Sequence, residues 1–109
     1  MDIIGHPTGR IIDQREPYEV DMQAVLQAAA RTNTALEINS HPSRLDLNDV
    51  NAKAARENGV ILCINSDAHD AKQLLTMKYG VNVARRAWLE KKDVLNALSL
   101  NELLSVLKR

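Results

Sequence analysis

At 109 residues, 45% of them hydrophobic, the chain is one domain or part of one, with enough apolar material for a modest core. Its 14 basic and 14 acidic residues cancel, so bulk charge gives no argument for binding nucleic acid or membrane. A single cysteine, Cys63, excludes an internal disulfide and fits a reducing cytoplasm. The opening MDIIGHPTGR is too short and polar for a signal peptide, and no apolar run approaches the roughly 20 residues of a membrane span.

Asp2 to Gly5 reads as the end of a strand that breaks at Gly5-His6-Pro7, followed by a loop through Thr8, Gly9 and Arg10. A strand at the first residues leads us to expect more chain, or a partner, upstream. Residues 13–19, with Pro17, read as a loop. From Val20 to about Arg31, Met22, Val25, Leu26, Ala29 and Ala30 recur at helical spacing, which predicts a helix. Thr34 to Asn39 is a short strand on which Glu37, Asn39 and, beyond it, His41 share one side while Leu36 and Ile38 take the other. A second helix is expected from about Leu47 to Asn58, capped by Asp46 or Asn48 and stopped at Gly59.

The run Val60, Ile61, Leu62, Cys63, Ile64 reads as a buried strand ending in the polar cluster Asn65 to Asp70. Strand, helix, strand, helix, strand is the pattern of parallel βαβ units, hence an α/β fold of about three parallel strands with covering helices. A helical tail follows: Ala71–Met77, a break at Tyr79-Gly80, a helix over Val81–Trp88, a short one over Lys91–Leu98, and a last one opened by the capping box Ser99 and Glu102. That last helix carries a Leu100, Leu103, Leu104, Leu107 stripe.

All three histidines, His6, His41 and His69, fall in loops next to strand ends. In a parallel sheet the ends carrying His6, Glu37 and Asp67 to His69 lie on one rim, where α/β enzymes place working groups. Imidazole beside carboxylate suits zinc, manganese or iron. Glu37 could be a ligand, a general base, or a carboxylate that orients a histidine. Arg10 and Arg44 are loop guanidiniums near the same rim, able in principle to take a phosphate bidentately. Aromatic residues are only 3% of the chain, which leaves almost nothing for stacking on bases.

GHPTGR at 5–10, REPYEVD at 15–21, ALEIN at 35–39, RLDLNDV at 44–50, NSDAH at 65–69 and YGVNVARRAWLEKKDVLN at 79–96 together resemble the carboxyl-terminal part of the PHP (polymerase and histidinol phosphatase) domain of bacterial family X DNA polymerases. The resemblance implies that residues 1–109 are a portion of a PHP-type (β/α) barrel, with the upstream barrel and polymerase core absent. It implies a trinuclear centre of manganese or zinc, or of iron, in the complete domain, and phosphoesterase or 3′ to 5′ exonuclease activity on DNA 3′ ends in repair or end processing. By the same resemblance His6, Asp67 and His69 match metal ligands, and Glu37 and Asn39 lie at the site. His41 departs from the Asn-Pro the family carries at that point. With Arg10, Asn39 and Arg44 it forms the expected substrate-binding set, and Glu37 the catalytic one. Two other readings stand beside it: a fragment of a small-molecule phosphatase of the histidinol-phosphate kind, and an inactive module that associates with the rest of a barrel or with itself.

Overall fold

A computed structural model describes residues 2–10, 12, 21–66, 68 and 70–107. Three strands, β1 (Ile3–Ile4), β2 (Ala35–Asn39) and β3 (Leu62–Asn65), form a parallel sheet in the order β1-β2-β3. Ile3 lies opposite Ala35, and Leu36 to Asn39 lie opposite Leu62 to Asn65. Parallel neighbours require a crossover. Helix α2 (Asp49–Glu57) lies in the crossover from β2 to β3, and α1 (Met22–Thr32) precedes β2. The α/β reading with parallel strands therefore holds, as an open three-stranded sheet.

Alternation along β2 and β3 sends Leu36, Ile38, Leu62 and Ile64 to one face. There they join Leu26 and Ala29 of α1, Ala52 and Ala55 of α2, and Leu47 and Val60 in one core. Small alanines at the helix contacts bring the helices close to the strands. Asn48, not Asp46, caps α2, its side chain accepting from the Asn51 amide at 2.9 Å, and Gly59 beyond the helix adopts the left-handed conformation (φ 77) that a side chain would strain.

Two expectations of the tail are corrected. Tyr79-Gly80 does not break the chain: α3 runs from Met77 to Arg86 straight through it. Gly80 is there for proximity, since a Cβ would collide with Ser40 Oγ and stand 2.7 Å from Ile64 Cγ2. The helix reaches the sheet because that residue has no side chain. The stretch from Lys91 to Leu98 is not one helix but two short 3-10 turns, Lys91–Asp93 and Leu95–Ala97. Between them Val94 bridges Leu62 in parallel fashion, and the Asn96 amide grips Ile64 from both sides. Its Oδ1 accepts the Ile64 N–H at 2.8 Å and its Nδ2 donates to the Ile64 carbonyl at 2.9 Å. Local helix propensity gives way to the unpaired edge of β3.

Ala71–Thr76 is a 3-10 segment. Helix α4 (Leu100–Val106) starts with the expected reciprocal capping box, Glu102 N–H to Ser99 Oγ at 3.2 Å and Ser99 N–H to Glu102 Oε1 at 3.0 Å. Its leucine stripe stays in water at Leu100 and Leu104. Trp88 is also exposed, its ring taking the Lys53 ammonium 4.5 Å from the centroid. The loop expected over residues 13–19 lies outside the described residues.

Candidate active site

The opposite alternation places Glu37, Asn39, Cys63 and Asn65 on the second face of the sheet, with Glu37 across from Cys63 and Asn39 across from Asn65. Two loops lean over the carboxyl end of this face, residues 5–10 after β1 and residues 40–46 after β2. Glu37 is the hub. Its Oε1 accepts the backbone N–H of His6 at 3.1 Å and lies 3.4 Å from Asn39 Nδ2, while Oε2 accepts from Asn65 Nδ2 at 2.9 Å. Gly5 lies beside this carboxylate, where a Cβ would make an ordinary contact with Glu37 Oε1 at 3.6 Å.

His6 sits in the left-handed region (φ 45), with its Nδ1 3.3 Å from Asn39 Nδ2 and 3.9 Å from Glu37 Oε1. The structure thus brings His6, Glu37 and Asn39 together on one rim. Asp67 and His69 lie outside the described residues; Ser66, where the described strand end stops, is buried. Among the described residues no three His, Cys, Asp or Glu side chains converge as a ready set of metal ligands.

The other candidates have local employment. His41 Nδ1 accepts the Ser43 backbone N–H at 3.2 Å and pairs with Ser43 Oγ at 2.7 Å, so a neutral ring carries its proton on Nε2. The Arg10 guanidinium donates through Nε to the Arg44 carbonyl at 2.7 Å and through Nη2 to the Leu45 carbonyl at 2.6 Å, while Arg44 Nη1 reaches back to the Arg10 carbonyl at 3.5 Å. Two of Arg10's five N–H donors therefore hold the 44–45 turn.

Two members of the cluster were not legible as such. Asn65 looked like the first residue of a loop, yet it is the last of β3 and pairs with Glu37, as Asn39 is the last of β2. Asp46 looked like a helix cap, and nothing local in the sequence says otherwise. It is fully buried, taking Thr8 Oγ1 at 2.8 Å, the Thr8 N–H at 3.0 and 3.2 Å and the Gly9 N–H at 2.9 Å.

Cys63 shares this face. Burial pushes its thiol above the ordinary 9.0, the Glu37 carboxylate across the ladder pushes the same way, and a hydrogen bond to Asn65 pulls against them. It is a proton-holding, weakly nucleophilic thiol. A cleft of about 450 Å³, lined by Thr34, Gly59, Val60, Lys92, Asp93 and Leu107, lies at the other, amino-terminal end of the strands, away from the polar cluster. The polar cluster lies at the carboxyl ends of the strands, where parallel sheets commonly bind ligands.

No protein-family model matches the chain. Among curated proteins it is 50% identical over all 109 residues to the DNA polymerase/3′-5′ exonuclease PolX of Bacillus subtilis, of which it covers 19%. It is 33% identical over 102 residues, 88% of its length, to a probable phosphatase of Thermoanaerobacter pseudethanolicus, covering 39% of that protein. A probable phosphatase of Shewanella halifaxensis is 36% identical over 80 residues, covering 68% of the chain and 30% of that protein. The chain spans less than half the length of each of these relatives. Its resemblance to bacterial family X polymerases is thus borne out from end to end, as 50% identity to one segment of a PolX protein.

Proposed function

We propose that residues 1–109 are the carboxyl-terminal portion of a PHP-type phosphoesterase domain, a partial (β/α) barrel, and that its carboxyl rim is part of a metal-dependent 3′ to 5′ exonuclease site acting on DNA 3′ ends. One observation carries this reading: His6 and Glu37 stand together on the rim where β3 ends, in a chain half identical to a PolX polymerase/exonuclease. The donor set fits a divalent ion. An imidazole and a carboxylate share the rim, and Asp67 and His69 follow Ser66 directly in the chain. His6, Asp67 and His69 would hold manganese or zinc there, as part of a trinuclear group in the complete domain. Bound metal would supply Lewis acidity and a more acidic water.

The chain's own residues have separate tasks. Glu37 accepts the His6 backbone N–H and is itself steadied by Asn65, so it fixes where the imidazole stands. Asn39 offers its amide to the same ring, and His41, two residues further on, presents an Nε2 proton. These groups, with Arg10 and Arg44, would orient a phosphate ester. The setting would be the cytoplasm, in DNA repair or end processing.

Elemental mass spectrometry on the purified chain, beside the Asp67→Ala, His69→Ala double variant, tests the site. Manganese or zinc in the first and not the second is the expected result; no metal in either overturns it. A second reading rests on the relatives named as probable phosphatases: release of inorganic phosphate from histidinol phosphate, with no mononucleotide from 3′-labelled DNA, would decide for a small-molecule phosphatase.

A further inference from the structure

The His6 side chain is 40% exposed, its Nδ1 standing 3.3 Å from Asn39 Nδ2 and 3.9 Å from Glu37 Oε1. The backbone that carries it is tied as well. Pro7 has no N–H with which the loop could be tied. The ties therefore fall on either side, at His6 to Glu37 and at residues 8 to 10 to the segment 44–46.

Those last three residues are engaged one after another. Thr8 gives Asp46 both its N–H and its hydroxyl, Gly9 gives Asp46 its N–H, and Arg10 gives the Arg44 and Leu45 carbonyls its guanidinium. The Gly9 N–H also closes a turn onto the His6 carbonyl at 3.1 Å. Asp46 is in turn fixed to β2, its carbonyl accepting the Asn39 N–H at 2.6 Å while the next residue, Leu47, donates to the Glu37 carbonyl at 3.1 Å. One buried carboxylate thus joins the loop that bears the imidazole to the strand that bears Glu37 and Asn39.

We propose that Asp46 is a positioning residue of the rim: its carboxylate, clasping Thr8 and Gly9, sets the place of the His6 imidazole relative to Asn39 and Glu37. The link to metal binding rests on the function proposed above, whereas the link to the imidazole does not. A partner one step removed from a metal ligand typically changes affinity by about 10-fold to 100-fold when lost. Asp46→Asn keeps size and one acceptor but turns a donor toward donors.

The experiment compares the unsubstituted chain, Asp46→Asn and Thr8→Val by NMR, reading amide exchange at Thr8 and Gly9 against Leu36 and Leu62, the proton contact between the His6 ring and the Asn39 amide, and the Kd for Mn²⁺ alone. For Asp46→Asn the expected result is at least about 10-fold faster exchange at Gly9 with β2 and β3 still protected, loss of the His6 contact, and a Kd raised about 10-fold or more. Thr8→Val removes the hydroxyl bond while keeping both backbone bonds, and is expected to move the same readouts severalfold; it decides the matter should Asp46→Asn not fold. A folded variant with the His6 contact intact and an unchanged Kd overturns the proposal. If the unsubstituted chain binds no Mn²⁺, the metal reading fails alone, and the His6 contact still decides the role of Asp46.

Discussion

Leu36, Ile38, Leu62 and Ile64 on one face of the sheet and Glu37, Asn39 and Cys63 on the other come from the same strands and are almost equally withdrawn from water. They are held by different physics. The apolar face is stabilised by area and dispersion, which tolerate small shifts. The polar face is stabilised by hydrogen bonds with fixed directions, in which each Glu37 oxygen needs its own donor. The first face gives the molecule its stability and the second its geometry, so damage to them should read out differently.

The sharpest way to break that comparison is Leu62→Ala. Leu62 is fully buried among helices, and its truncation should cost about 2–5 kcal/mol in urea unfolding. A loss below about 1 kcal/mol would show that the apolar face does not carry the fold. Next comes Asn65→Ala, which removes the donor to Glu37 Oε2 and should cost about 1–3 kcal/mol. If the unfolding midpoint stays put, water has replaced the amide and the network is looser than its geometry implies.

The smallest effect concerns Cys63. Burial and the nearby Glu37 charge both disfavour its thiolate, so the rate of iodoacetamide alkylation should rise with a midpoint above pH 9.0. Glu37→Gln removes the charge contribution and should bring that midpoint down. A midpoint at or below 9.0 in the unsubstituted chain would place the thiol in water rather than on the ladder.

What the sequence revealed follows the range of each interaction. The apolar periodicity of residues 22–30, the alternation over 35–39 and the box Ser99 to Glu102 are local, and helices and strands stand where they predict. The convergence of His6 with Glu37 was also foreseeable, because parallel strands share a rim. The misses are contacts between distant residues. Gly80 looks like a helix breaker until Ser40 and Ile64 are seen against it, Lys91–Leu98 looks helical until β3's edge is seen beside it, and Asp46 looks like a cap until Thr8 arrives from 38 positions away.

The Asn96 amide has a consequence for what the sheet can still pair with. By imitating a strand's donor and acceptor it occupies Ile64, and with Val94 on Leu62 it finishes the sheet on that side. Among the described residues, β1 is the strand with no neighbour beyond it. An edge whose donor and acceptor are already taken offers no template to a further strand. The side chain of one asparagine therefore closes the β3 edge at Ile64.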